Sequence, residues 1–172
     1  LFCRDVQIFP PPGLDVGNDF FSLRRPTAPD AADRKPGRRY MGVCAPGSSR
    51  IRILIQAYVA ALTAGQNMFD RVGAAADPWM TVVGYFNSIR ELGGMVRHLE
   101  DDVRSQCRNI DRGYQRPGLR RRPYLNHKEL TSRLSSTQIP EILDQMEIPH
   151  RASVSAGGAP PLDAVLATNM IS

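Results

Sequence analysis

Residues 80–107 constrain the fold more than any other stretch of the sequence. They begin with an apolar run of β-type residues, 80–86, which passes through the short polar turn Asn87-Ser88 into a helical pattern. The apolar residues of that helix recur every three or four positions and form one stripe: Leu92, Met95, Val96, Leu99 and Val103. A buried strand that leads through a polar turn into an amphipathic helix is half of a βαβ unit. The sequence therefore predicts an α/β fold, a parallel sheet flanked by helices.

Proline, glycine and the apolar periodicity divide the rest of the chain. Residues 1–40 are basic and rich in proline, so we expect an irregular lead-in to a domain over residues 41–172. The further elements predicted for that domain are a strand over residues 40–45, a helix over residues 50–71 capped by Ser48 or Ser49, a strand over residues 128–134, a helix over residues 139–146 with its N-cap among residues 135–137, and a buried strand over residues 163–169.

Composition and cysteine usage narrow the class of protein. The three cysteines, Cys3, Cys44 and Cys107, have neither disulfide-framework nor zinc spacing, so we expect a cytoplasmic protein. No apolar run approaches the roughly 20 residues that cross a bilayer, and no membrane partner is expected. The net charge of +5 favours polyanionic partners only weakly. Because the sequence begins at Leu1 and stops just after an apolar run, we expect a fragment of a longer protein.

Two of the predicted strands end in small hydrogen-bonding side chains. Asn87 and Ser88 follow the first strand, and Thr168 and Asn169 end the last one. Ligands of open parallel sheets collect at the carboxyl ends of the strands, and phosphate oxygens accept hydrogen bonds from such groups. Two interpretations stay open at the first position, because Asn87 or Ser88 can instead cap the following helix.

Residues 109–122 form an arginine-rich and glycine-containing loop, interleaved and followed by tyrosines. Its basic and aromatic members are Arg112, Tyr114, Arg116, Arg120, Arg121, Arg122 and Tyr124. Arginine with aromatic residues suits a single nucleic-acid strand, through phosphate contacts and base stacking. The alternative is an exposed loop whose charge serves solubility.

A hydrolase is the weakest interpretation of the polar residues. The three histidines have no metal-ligand spacing, and no serine or cysteine lies in a nucleophile elbow. Residues 100–102 are all acidic, but a helix cannot direct three successive side chains at one ion, so we expect a solvated face. Residues 45–49 lack the GKS or GKT ending of a phosphate-binding loop.

Three stretches resemble the second RecA-like domain of superfamily 2 helicases: YFNSIRELGGMVRHLEDDVR, ELTSRLSSTQIPEILDQME and AVLATNMIS. More specifically, they are similar to the large helicase subunit of the DISARM bacterial anti-phage systems. The stretches FPPPGLDVGNDFFS and YMGVCAPGSSRIRILIQAYVAAL resemble the part that leads into that domain, so the similarity covers most of the chain. It implies a truncated RecA-like C-terminal lobe.

The resemblance also implies residue roles. Phe86-Asn87-Ser88 matches helicase motif IV near the nucleic-acid backbone, and Thr168-Asn169 matches the start of motif V, whose threonine contacts phosphates. Thr131-Ser132-Arg133 matches the intervening strand end on the same side. With the basic loop, the predicted nucleic-acid contacts are Asn87, Ser88, Arg120, Arg121, Arg122, Thr131, Ser132, Arg133, Thr168 and Asn169.

The sequence departs from the family where the family hydrolyses ATP. It has no Walker A lysine and no DExx acid pair, and it stops before the arginine-finger motif. We therefore expect no cofactor and no ATP hydrolysis in this chain alone, with ATP and Mg²⁺ belonging to the full-length protein. The expected partners are DNA or RNA, the missing first lobe and other defence-system subunits. The alternative is a stand-alone basic α/β interaction module that binds nucleic acid or a protein without motor activity.

Overall fold

The structure is a computed structural model that describes residues 40–112, 117–150 and 159–168. The chain divides into two units, Leu1–Gly42 and Val43–Ser172, and all the elements below belong to the second. In chain order they are helix α1 (Arg50–Val72), a 3₁₀ helix (Gly73–Trp79), strand β1 (Val82–Phe86), helix α2 (Ile89–His98), a π-helical turn (Leu99–Val103), helix α3 (Arg104–Asn109), strand β2 (His127–Leu130), helix α4 (Gln138–Met146) and strand β3 (Ala164–Thr168).

The described strands form one parallel sheet in the order β1-β3-β2. Phe86 of β1 lies opposite Thr168 of β3, and Leu130 of β2 lies opposite Ala167. The three strands therefore end at the same side of the sheet, here called the carboxyl edge, and begin at the other, the amino edge. This arrangement confirms the predicted α/β fold with its parallel sheet.

The central strand β3 is buried on both of its faces. Ala164 and Leu166 pack in one apolar cluster with α1 and α2, whereas Val165 and Ala167 pack in a second cluster with Ile142 of α4. This division follows from the alternation of side chains along a strand. Helices thus cover both faces of the sheet at β3, as in other α/β proteins with parallel strands.

Close packing between α1 and β1 requires a glycine in the strand. A Cβ atom placed on Gly84 would lie 1.7 Å from the Tyr58 hydroxyl oxygen of α1. Tyr58 is itself buried, and its hydroxyl has no hydrogen-bond partner within the described residues. The burial raises the pKa of Tyr58 to about 12. The Tyr58 hydroxyl therefore occupies the space that a side chain at position 84 would need.

The helical segment after β1 has the predicted amphipathic pattern. Leu92, Leu99 and Val103 are at most 1% exposed, and the stripe packs against the sheet. The acidic residues 100–102 are exposed, so the predicted solvated face is confirmed. The two halves of the segment are joined through the π-helical turn without a break.

Helix α4 begins with a reciprocal cap formed by Ser135 and Gln138. The Gln138 backbone N–H donates to Ser135 Oγ at 3.4 Å, and the Ser135 N–H donates to Gln138 Oε1 at 3.0 Å. This is the geometry of a capping box, which satisfies backbone donors at the start of a helix. The N-cap residue is Thr137, within the predicted range 135–137, and the side-chain hydrogen bonds come from Ser135 and Gln138.

Two strand predictions need correction. Residues 40–45 have no regular structure, and Tyr40, Met41 and Val43 are 64–86% exposed. A short apolar run does not by itself distinguish a buried strand from an exposed segment. The predicted strand over residues 128–134 ends at Leu130, because the Leu134 N–H turns back to the Thr131 carbonyl at 3.1 Å.

Candidate nucleic-acid interface

The carboxyl edge brings three of the predicted contact segments to one side of the sheet. Asn87 follows β1 directly, Thr131 follows β2 directly, and Thr168 ends β3 between them. Neighbouring strands lie about 4.8 Å apart, so the ends of β1 and β2 are separated by about 10 Å. The polar residues at this edge therefore lie within the span of a few phosphate groups.

The turn after β1 combines a helix cap with an exposed amide. Ser88 Oγ accepts the Glu91 N–H at 3.2 Å, which confirms that Ser88 caps α2. Asn87 is exposed at the same turn. Both residues are exposed, and the Ser88 hydroxyl holds the start of α2.

The turn after β2 places an arginine at the carboxyl edge. Thr131 is 6% exposed, and its Oγ1 accepts the Arg133 N–H at 3.4 Å. Ser132 and Arg133 are exposed. Thr131 therefore shapes the turn from inside, and the two residues after it present a hydroxyl and a guanidinium to solvent.

Thr168 ends the central strand with a buried hydroxyl. The residue is 5% exposed, and its Oγ1 has no hydrogen-bond partner within the described part of the chain. A buried hydroxyl is costly to leave without a hydrogen-bond partner. Asn169, the other predicted contact in this segment, lies outside the described residues.

Three helices begin at the carboxyl edge. Helix α2 follows the cap at Ser88, and α4 follows the turn after β2. The first residue of α1, Arg50, forms a 3.0 Å ion pair with Glu91 in the first turn of α2, so α1 starts at the same edge. Helix N-termini carry partial positive charge, and their convergence favours anions there.

The amino edge is organised by a buried arginine. Arg122 is 2% exposed, and its guanidinium pairs with Asp163 and donates to the carbonyl of Met80 at 2.9 Å and to that of Leu62 at 3.4 Å. Its backbone N–H also donates to the Cys107 carbonyl at 3.1 Å. The interpretation of Arg122 as a surface contact for nucleic acid is therefore wrong. This side chain holds the domain together.

We call the buried Arg122–Asp163 pair and its hydrogen bonds the hub. Asp163 extends the hub to the starts of the strands. Its second carboxylate oxygen accepts the Asn126 N–H at 2.6 Å, and its backbone carbonyl accepts the Val82 N–H at 2.9 Å. Asn126 and Asp163 also join through a backbone hydrogen bond of 2.8 Å. The Arg122–Asp163 pair thus connects the segments that enter all three strands. Sequence reasoning missed it, because 41 residues separate Arg122 from Asp163.

Two titratable groups beside this hub are shifted by burial. Burial raises the pKa of the Cys107 thiol to about 11, which keeps it protonated and unreactive. Burial, followed by the Arg122 charge, lowers the pKa of His150. The His150 ring makes an edge-on contact with Phe69 at 4.8 Å between centroids, and the His150 backbone N–H donates to the Asp77 carboxylate at 2.6 Å.

Arg120 and Arg121, the other two predicted contacts from the basic loop, are exposed. The Arg120 backbone donates to the Thr63 carbonyl at 3.0 Å, which fixes the loop against α1. Arg121 lines a surface groove of about 610 Å³ along α3. Within residues 40–112, 117–150 and 159–168, no group of His, Cys, Asp and Glu has the geometry of a metal site. In the same part of the chain, no helix is long and apolar enough to span a bilayer.

The fold and its edges define an α/β domain with a parallel sheet and polar strand ends. No protein-family model matches the chain. The chain is 41% identical over 170 residues to DISARM protein DrmA of Bacillus paralicheniformis. This similarity covers 97% of the chain but 14% of that protein, so the chain corresponds to one segment of a much longer relative. The predicted similarity to a DISARM protein is confirmed, and its helicase part stays a prediction.

Proposed function

We propose that this chain is a nucleic-acid-binding segment of a bacterial anti-phage defence protein. Its similarity to DISARM protein DrmA supports the defence role. Its parallel sheet and the motif resemblances support a truncated second RecA-like lobe of a superfamily 2 helicase or translocase. In that role the segment holds the backbone of DNA or RNA while the rest of the protein supplies the motor.

The observation that carries this proposal is the common edge at which β1, β2 and β3 end. The segments that resemble motif IV and the start of motif V, at Asn87 and Thr168, lie at the ends of neighbouring parallel strands. Arg133 adds an exposed guanidinium from the third strand end. Phosphate contacts from such groups position a strand without reading its bases.

Each residue at the carboxyl edge has a distinct part in this proposal. The Asn87 amide and the Ser132 hydroxyl donate to phosphate oxygens, and Arg133 neutralises a phosphate charge. Thr168, whose hydroxyl has no hydrogen-bond partner within the described residues, donates that hydroxyl from the centre of the edge. Ser88 and Thr131 act indirectly, because their hydroxyls hold the two turns in place.

ATP is not assigned to this chain. The turn before α1 contains no lysine, and the Ser49 hydroxyl accepts the Arg52 N–H at 3.3 Å as a helix cap. These residues do not fit a triphosphate site. ATP and Mg²⁺ would belong to other parts of the full-length protein, and the missing first lobe and further defence subunits would be its partners in the cytoplasm.

The test is the affinity of the chain for labelled single-stranded DNA and RNA, measured by fluorescence anisotropy over a range of salt concentrations. We expect Arg133→Ala to weaken binding and to lower the salt slope by about 0.7, the value for one lost phosphate contact on a single strand. Asn87→Ala should weaken binding without changing that slope. Arg97→Ala, an exposed arginine of α2, is the matched control. Binding that survives both carboxyl-edge variants would contradict the proposal.

A second candidate is a protein-interaction module without motor activity. Val83 and Tyr85 are 40% and 67% exposed on the face of β1 opposite α1. Exposed apolar side chains of this kind favour a protein partner. The chain would then show no salt-dependent affinity for nucleic acid, and Tyr85→Ser would weaken capture of the partner protein.

A further inference from the structure

A second positively charged surface lies along α3 and the loop before β2. Arg104, Arg108 and Arg112 follow one another at intervals of four residues, and Arg121 reaches the same groove from the loop. Four residues of helix rise by about 6 Å, which separates Arg104 from Arg108 by about the spacing of successive phosphates in an extended strand. Arg112 lies in the turn directly after α3. We call these four residues the arginine groove.

The four positive charges of the arginine groove are only partly balanced by nearby acids. Among the described residues that line it, Glu100 and Asp101 are the acidic ones, and Glu100 also lies 3.6 Å from His127. Within the described residues, none of the four arginines forms an ion pair. Four like charges held around one groove repel each other, and a bound polyanion relieves that repulsion.

An exposed aromatic ring distinguishes between the polyanions that fit. Tyr124 is 82% exposed and borders an adjoining groove of about 870 Å³, which shares Arg104 and Arg108 with the arginine groove. An exposed ring beside guanidiniums forms a platform on which an unpaired base stacks. An acidic protein segment has no group that requires such a ring. The arrangement therefore favours a single nucleic-acid strand.

We propose that the arginine groove and Tyr124 bind single-stranded nucleic acid as a second contact surface. Arg108, Arg112 and Arg121 contact successive phosphates, and a base stacks on Tyr124. The neighbouring segments place this surface towards the amino edge, because Arg104 donates to the Leu125 carbonyl at 3.1 Å just before β2 begins. This surface is thus separate from the carboxyl edge. The inference rests on the proposed function only for the class of partner, which is nucleic acid.

The test measures binding of the whole chain to labelled oligodeoxythymidine and to an abasic strand of the same length. Arg108→Gln with Arg112→Gln should lower the salt slope by about 1.4, or 0.7 for each lost contact. The matched control removes two exposed positive charges that line neither groove, Arg97→Gln with Lys128→Gln. Tyr124→Ala should weaken oligodeoxythymidine binding by about fivefold or more and leave abasic binding unchanged.

Each of the following results would overturn the proposal. The groove variant could bind as tightly as the control variant. Tyr124→Ala could weaken both strands equally, so that no base stacks there. Polyglutamate could compete as well as the nucleic acid and lose affinity in the same variants, which would assign the groove to an acidic protein. If only the double variant Asn87→Ala with Arg133→Ala loses binding, the carboxyl edge is supported and the groove is excluded. By contrast, if only the groove variant loses binding, the carboxyl edge is excluded.

Discussion

The two edges of the sheet use polar residues in opposite ways. At the amino edge, the guanidinium of Arg122 is buried and joined to Asp163 and to two backbone carbonyls. At the carboxyl edge, Asn87, Ser132 and Arg133 are exposed. A basic residue in a sequence therefore does not show whether it binds a ligand or holds the fold. Its burial and its partners in the structure decide.

The difference has a physical cause. A charge removed from water must be paired and hydrogen-bonded, and breaking such a pair leaves the partner charge buried without compensation. Exposed polar groups carry no such requirement, so replacing them changes stability little. We therefore expect substitutions at the amino edge to affect the free energy of unfolding, and those at the carboxyl edge to affect binding.

The largest effect is expected at Arg122. Arg122→Ala should lower the free energy of unfolding by about 3–5 kcal/mol, because it leaves the Asp163 carboxylate buried and unpaired. Urea unfolding followed by circular dichroism measures it. Arg121→Ala, one residue earlier and exposed, is the control and should change stability by less than about 0.5 kcal/mol. Equal stability of the two variants would contradict the structural role of Arg122.

A smaller loss of stability is expected midway between the edges, where the close packing of Gly84 against Tyr58 matters rather than charge. Gly84→Ala should destabilise the domain by about 1–3 kcal/mol, because the added methyl group collides with the Tyr58 hydroxyl. Tyr58→Phe removes that oxygen, so it should reduce the penalty in the double variant. Thermal unfolding of the two single variants and the double variant forms a mutant cycle. Strict additivity would show that the two positions do not collide.

At the carboxyl edge the stability change should be smaller still. Arg133→Ala and Asn87→Ala should each change the free energy of unfolding by no more than about 0.5 kcal/mol, since both residues are exposed. Their affinity for single-stranded nucleic acid should nevertheless fall. Urea unfolding and anisotropy on the same preparations compare the two quantities. A stability loss as large as that of Arg122→Ala would remove the contrast between the edges.

The smallest effect concerns pH at the amino edge. The pKa of His150 is lowered from its ordinary 6.5, so the folded chain takes up this proton less readily than the unfolded chain. The His150 contribution to stability is therefore complete above pH 6.5 and is lost as the pH falls towards the lower pKa of the folded state. Urea unfolding across this range should show the decline, and His150→Gln should make it shallower. An unchanged pH profile in the variant would contradict this assignment.

Local patterns predicted most of the described elements. The stripe that contains Leu92 and Leu99, the cap at Ser88 and the buried strand that ends at Thr168 all follow from periodicity and capping within a few residues. The strand predicted over residues 40–45 was wrong, because apolar composition does not specify a pairing partner.

Contacts between distant segments could not be predicted from local sequence patterns. The Arg122–Asp163 pair and the groove that joins Arg121 to α3 depend on how β2, α3 and β3 meet. Arg122 lies among adjacent arginines, and nothing in its local sequence distinguishes the buried one from its exposed neighbours Arg120 and Arg121. The predicted roles of Asn87, Ser132, Arg133 and Thr168 in binding remain predictions.

The most direct test of the carboxyl-edge proposal is an NMR titration of the ¹⁵N-labelled chain with oligodeoxythymidine. The account predicts that the backbone amides of Asn87, Ser132, Arg133 and Thr168 shift together and saturate at one dissociation constant. Added salt should reverse these shifts, because phosphate contacts release counterions. Saturation of the strand by the chain with these four amides unmoved would contradict the account.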